Sequence, residues 1–194
     1  MVEAAIDKCP RIETERLVLR KWEEWDLDGL IELCGHPEVM EFFGAVKSPS
    51  EVEKMLDRVL VQQAKHGYCF PAVEDRKSGR LLGFCGLKVQ ETDIPIGPCV
   101  EIGWRLQRDA WGKGIATEVA RVWLEFGFET LKLDEIVANM VVGNFRSENT
   151  MKRLGMVYSE GDDFIEPGMD ANDPLARNIL YRITKQRFMD LKNG

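Results

Sequence analysis

Two hydrophobic periods take turns along this chain, and the switches between them predict its elements. Arg16-Leu-Val-Leu-Arg20 reads as a first strand. Asp26 then stands as an N-cap before Leu27, Leu30, Ile31 and Leu33, which share one helix face, and Gly35 with Pro37 closes that run. Ser50, with Glu53 three residues on, reads as a capping box. The helix after it turns Val52, Met55, Leu56, Val59 and Leu60 inward and ends before Gly67. The middle of the chain changes to extended, β-rich runs at 68–74, 80–90 and 99–107. Turn-forming segments, 75–79 and 92–98, separate them, and such short links favour antiparallel neighbours.

A glycine turn, Trp111 to Gly114, leads into a third helix with the stripe Ile115, Val119, Val122, Trp123 and Phe126. A strand over 135–142, a short helix over 147–154 closed by Gly155, and a strand near 156–159 follow. Residues 161–178, rich in Gly, Asp, Asn and Pro, read as a loop, and 179–184 as the last strand. The order β-α-α-β-β-β-α-β-α-β-β predicts an α/β fold with one mixed sheet of about seven strands and helices on both faces. With no linker, repeat or low-complexity stretch, residues 1–194 are expected to form a single domain, its core from about 12 to 187.

Composition narrows the function. The chain has 194 residues, 44% apolar and 30% charged, enough for a core without disulfides or metal. A formal net charge of -7 argues against nucleic acid as the main partner, because phosphate binding needs a basic footprint. Cys9, Cys34, Cys69, Cys85 and Cys99 are scattered and read as reduced thiols in a cytoplasmic protein. His36 and His66 lack partners at ligand spacing, so no metal site is expected. No signal peptide or membrane-spanning run is visible.

The strongest chemical signal is Trp111-Gly-Lys-Gly-Ile-Ala116 with Thr117, at a strand-to-helix junction. Backbone N–H groups at a helix start lack intrahelical partners and favour anions. Gly112 and Gly114 permit close approach of a phosphate, and Lys113 adds a point charge. A plain tight turn is the competing reading. A P-loop is excluded because Gly114 follows Lys113 where Ser or Thr is needed. Thr117 stands where a dinucleotide fingerprint has its third glycine, and three short-linked strands precede the motif. The second signal is Asn144-Phe-Arg-Ser147-Glu-Asn149 followed by Met151 and Arg153-Leu-Gly-Met156. By itself it reads as a turn residue and an N-cap.

Together these pieces resemble the GNAT acetyltransferase superfamily, in its RimJ/RimL-like branch. Thr14 to Arg20, His36-Pro-Glu-Val-Met40, Glu101-Ile-Gly-Trp104, Trp111 to Ala116, Asn144 to Met156 and Ile179 to Ile183 occur in family order. The resemblance implies a sheet splayed at its centre, with acetyl-CoA as co-substrate in the V. It implies that Trp104, Arg105 and Leu106 pair their backbone with the pantetheine arm. Residues Trp111 to Thr117 (Gly112, Lys113, Gly114, Ile115, Ala116) would hold the pyrophosphate, and Asn144 and Asn149 would contact the pantetheine from the opposite side. Many relatives carry a tyrosine acid where Met151 stands here. The resemblance therefore assigns the leaving thiolate to Ser147, with Tyr158 as fallback donor.

The reaction it implies moves an acetyl group to a primary amine: a protein N-terminal α-amine, or a small amine such as a polyamine, amino acid or aminoglycoside. A CoA-binding regulatory module without turnover is the reading from another class. Glu101 is the candidate base, sharing one strand face with Gly103 and Arg105, while Val100, Ile102, Trp104 and Leu106 take the other. A structural pairing of Glu101 with Arg105 is the alternative. A backbone N–H near Leu106, freed at a bulge, is expected to face the oxyanion. Trp22, Trp25, Phe42 and Phe43 are expected in the acceptor walls, or in the core. The acidic clusters Glu23, Glu24, Asp26 and Asp162, Asp163, Glu166, Asp170 are expected to attract a cationic acceptor, or to be ordinary solvated charge. No nucleic-acid or membrane partner is expected, and the chain is read as monomer or homodimer.

Overall fold

The computed structural model describes residues 8–91, 95 and 97–193. Its elements run β1 (Ile12–Glu13), β2 (Leu17–Arg20), α1 (Leu27–Gly35), α2 (Pro37–Met40), α3 (Pro49–His66), β3 (Ala72–Asp75), β4 (Leu81–Gln90) and β5 (Cys99–Leu106). Then come α4 (Ile115–Glu125), β6 (Glu135–Val141), α5 (Phe145–Arg153), β7 (Val157–Tyr158), β8 (Phe164–Ile165), β9 (Arg177–Thr184) and α6 (Lys185–Asn193). The strands form one mixed sheet in the order β1-β2-β3-β4-β5-β6-β9-β7, with β8 beside β9. All described pairings are antiparallel except β5 with β6.

Side-chain alternation on the strands builds a core on each face. Ile102 and Leu106 join Val119, Trp123 and Phe128 beneath α4. Phe84 and Leu81 join Leu30, Leu33, Val52 and Leu56 beneath α1 and α3. The expected α/β architecture with helices on both faces therefore forms. Its nine strands exceed the expected count because two two-residue pieces, β1 and β8, pair at places too short to leave a periodic signal.

Several local expectations are corrected. Helix α3 is capped by Ser48 with Glu51, not by Ser50 with Glu53, because Pro49 takes the first helical position that its fixed φ favours. Asp26 does not cap α1: its carboxylate accepts from Glu23 N–H at 2.9 Å and from both Arg20 Nη atoms at 2.7–2.8 Å. The expected strand over 68–74 starts only at Ala72, since Phe70 sits at φ 43 and Pro71 follows. Helix α5 starts at Phe145, not at Ser147, because Asn144 is the cap. The 161–178 segment contributes β8, and α6 follows the last strand where no helix was expected; none of its residues is buried, so it carries no core stripe. The expected turn at 92–98 falls partly outside the described residues, at 92–94 and 96.

Candidate active site

Strands β5 and β6 run parallel but are paired only at Glu101↔Val137. Beyond that point they diverge, and the gap between them is the site. Register fixes what points into it. Cys85 N–H and Leu87 C=O bond toward the β3 side, so Phe84, Gly86 and Lys88 bond β5, opposite Arg105, Gly103 and Glu101. The N–H groups of Trp104 and Leu106 are thereby turned away from β4, into the gap. The bulge expected in β5 is absent: its register with β4 is unbroken from Cys99 to Leu106, and alternation alone frees these amides.

Below the gap lies a cleft of about 910 Å³. Gly112 and Gly114 sit at φ 72 and 73, where a side chain would be strained, and nothing lies within 4 Å of the Cβ either lacks. Glu118 is the first residue of α4 whose N–H finds a partner, Gly114 C=O at 3.0 Å. The amides of Ile115, Ala116 and Thr117 are left facing the cleft they line. Trp111 forms one wall; its indole Nε1 donates to Leu106 C=O at 2.9 Å. The Arg108 and Arg146 guanidinium groups lie 4.8 and 4.5 Å from its ring centre, tied to Glu38 and Glu41. Asn144 and Asn149 line the opposite wall. Asn144 Oδ1 accepts from Ser147 N–H at 3.2 Å, which leaves its amide nitrogen for a ligand. Arg121 and Arg153, which sequence reasoning passed over, line the same cleft.

A smaller cavity of about 370 Å³ opens on the other side of β5. Phe42, Phe43, Phe70 and Phe84 wall it, with Met169 and Leu175 from the late loop. Phe70 holds its strained φ with three contacts: its N–H donates to Leu87, its C=O accepts from Trp22 Nε1, and its ring stacks on Phe84 at 5.7 Å. That ring lies against Gly103, where a Cβ would approach Phe70 Cε1 to 2.8 Å, so only glycine leaves the wall intact. Glu101 lies in this cavity, 8% exposed. Its two oxygens accept from Gln90 Nε2 at 2.6 Å and Asn139 Nδ2 at 3.1 Å. Burial pushes its pKa above the usual carboxylate value, and the two amide donors oppose that only in part. Register places Gln90 diagonally across from Glu101, a relation that could have been read from the hairpin had its loop been known.

Ser147 lines both spaces, and its hydroxyl makes no hydrogen bond among the described residues. Met151 is buried in the core and closes the cavity floor.

Most of the residues expected at the site converge there: Glu101, Trp104, Arg105, Leu106, Trp111, Gly112, Gly114, Ile115, Ala116, Thr117, Asn144, Ser147 and Asn149. Two do not. The Lys113 side chain is exposed outside the cleft, while its carbonyl accepts from Arg16. Tyr158 is 41% exposed on β7, and its hydroxyl donates to Asp163 at 3.0 Å, so it lines neither space. Glu101 and Arg105 share a face without pairing. Trp22 is core and Trp25 is 73% exposed, whereas Phe42 and Phe43 do form walls. The acidic clusters disperse: Asp26 is paired with Arg20, Asp162 with Arg182 and Asp163 with Arg177, leaving only Glu166 at the cavity. Among the described residues no helix is long and apolar enough to cross a membrane, and no cluster of His, Cys, Asp and Glu could hold a metal.

Known proteins share this fold. The family model described as "Acetyltransferase (GNAT) domain" matches residues 16–157. A Bacillus licheniformis protein named "Uncharacterized N-acetyltransferase p20" is 27% identical over 180 residues, 90% of this chain and 96% of its own. The fold matches a GNAT-family acetyltransferase from Bacillus anthracis with a TM-score of 0.73 at 23% identity, over 91% of this chain and 99% of that one. It also matches a ribosomal-protein-S5-alanine acetyltransferase from Vibrio fischeri with a TM-score of 0.69 at 20% identity, over 92% and 98% of the two chains. The family model spans the splayed strands, the glycine turn and the Asn144 cap, and the chain belongs to the GNAT family as an N-acetyltransferase.

Proposed function

We propose that the protein transfers an acetyl group from acetyl-CoA to a primary amine, the leading acceptor being a protein N-terminal α-amine. The supporting observation is the pair of unpartnered amide sets: Trp104 and Leu106 in the gap, and the first turn of α4 beside Gly112 and Gly114. The second set suits a diphosphate, and the open space at both glycines gives it room. The gap suits the pantetheine arm, with Asn144 and Asn149 across from it.

The chain's own residues then have distinct tasks. Glu101, with its raised pKa, takes the proton that the amine loses, directly or through one water. The Leu106 amide faces the carbonyl oxygen as negative charge develops on it, and the Trp104 amide is left for the pantetheine arm. The nitrogen–carbon bond forms, the carbon–sulfur bond breaks, and the Ser147 hydroxyl donates a hydrogen bond to the departing thiolate. An α-amine, with an ordinary pKa of about 8, needs less help from Glu101 than a lysine does. The fold relative from Vibrio fischeri is described as acting on an alanine of ribosomal protein S5, which points to the same acceptor class. A small-molecule amine is the second reading, favoured by the limited volume of the phenylalanine-walled cavity.

The test is thiol release from acetyl-CoA against a panel of N-terminal peptides and small amines, with Glu101→Gln and Ser147→Ala alongside the native chain. Release with peptides and loss in Glu101→Gln support the reading. Acetyl-CoA binding without release on any amine would make the protein a CoA-binding module instead.

A further inference from the structure

Arg105 is an anomaly in this molecule. Arg16, Arg20, Arg80, Arg108, Arg146 and Arg182 each hold a carboxylate. Arg105 is itself partly buried and holds none. Its Nη1 makes only a 3.6 Å contact with Cys34 Sγ, and its buried Nε has no partner. Nη2 donates to no group among the described residues either, so the Nε–Nη2 edge is unused. That edge is the one that meets a carboxylate side-on through two parallel hydrogen bonds. The guanidinium stacks 3.8 Å from the Phe43 ring centre and 5.4 Å from that of Phe84. Phe43, 45% exposed, is the lid over it. Stacking offsets only part of the cost of burying an unpaired charge, and an arginine keeps its charge even where burial pulls its pKa down.

The position is informative. Arg105 lines both the acceptor cavity and the cleft, on the same strand face as Glu101 four residues away. At roughly 3.3 Å per residue their Cα atoms are about 13 Å apart. Glu101 and Glu166 account for the carboxylates of the cavity, and neither pairs with Arg105. We propose that Arg105 anchors a carboxylate of the acceptor, so that the substrate class is a peptide-like amine bearing an acidic group one or two residues beyond the nitrogen that is acetylated. The inference rests on the acetyl-transfer reading for its amine end, but the anchor is testable by binding alone. The phenylalanine walls pack the apolar stretch between the two charged ends. The acidic group is either a side chain or the C-terminal carboxylate of a short peptide.

The experiment uses the full chain and four peptides: Ala-Ala-Ala amide, Ala-Glu-Ala amide, Ala-Lys-Ala amide and Ala-Ala-Ala free acid. Isothermal titration measures their affinity, and thiol release their kcat/KM. The native chain should bind the glutamate peptide about tenfold more tightly than the neutral amide, with the lysine peptide weakest. Preference for the free acid over the glutamate peptide would assign the C-terminal carboxylate as the source. In Arg105→Met the acidic-to-neutral ratio should fall to about one. In Arg105→Lys it should return in part, and in Arg105→Glu it should invert toward the lysine peptide. The ratio within each variant divides out any general loss of activity. Equal affinity of the native chain for acidic and neutral peptides overturns the proposal and needs no variant to be folded. An unchanged ratio in Arg105→Met, or a change confined to the KM for acetyl-CoA, overturns it too. Absence of thiol release with every peptide would strike the acetyl-transfer reading, while the titration would still decide the anchor.

Discussion

On the proposed reading, the two spaces beside β5 would recognise their ligands by different means. In the cleft the main chain would carry recognition, through the amides of Trp104 and Leu106 and the first turn of α4. In the cavity the side chains would carry it, through Glu101 held by Gln90 and Asn139, Arg105, and four phenylalanines. A backbone site is fixed once the turn and register are fixed, so it tolerates changes of side chain and serves one unvarying ligand. A side-chain site is rewritten by single substitutions. One strand supplies both: its hydrogen-bonding edge faces the cleft, and one face of its side chains forms the cavity.

That contrast is open to attack by substitution. The largest effect is expected from Glu101→Gln, which keeps the shape and one of the two accepting oxygens but removes the proton acceptor. Its kcat/KM should fall about 100-fold at neutral pH, measured by thiol release. In the native chain, activity should fall as pH drops through the Glu101 pKa, since protonation abolishes the base. Because that pKa is raised, the limb should lie above the ordinary glutamate value of about 4.3 and should vanish in Glu101→Gln. Ser147→Ala should lower kcat about tenfold with little change in the KM for acetyl-CoA, as expected for one hydrogen bond to a developing charge. Gly114→Ala should do the reverse. Forcing a side chain to φ 73 costs about 1 kcal/mol and tilts the amide cradle, so the KM for acetyl-CoA should rise about fivefold while the acceptor's KM holds. The smallest effect belongs to Tyr158→Phe, which removes only a surface contact to Asp163; a drop in kcat beyond about twofold would show that β7 reaches the chemistry after all.

The same contrast decides what could be read from the chain. The glycine turn was legible because positive φ selects glycine, and because Ile115, Val119 and Trp123 announce the helix that follows. Asn144 and Ser147 were legible as a helix start, but which of them caps was decided by geometry that Ser147 N–H completes. The start of α3 was misplaced although Pro49 marked it. The cavity was far less legible. Phe70 is drawn into its wall by a strained φ that no propensity favours, and Gln90, Asn139 and Asn178 arrive from three different strands. The acidic clusters misled because charge counted along the chain says nothing of the arginines folded against it.

The solitary β5–β6 pairing at Glu101↔Val137 has a thermodynamic corollary. A sheet seamed at one point forgoes the ladder bonds its two halves would otherwise share, and a ligand bridging them restores part of that cohesion. Acetyl-CoA at about 100 times its Kd should add about 2.7 kcal/mol to the folded state, raising the melting midpoint by roughly 5–10 °C. The protein is then sturdiest when loaded, and its heat tolerance reports the occupancy of the seam.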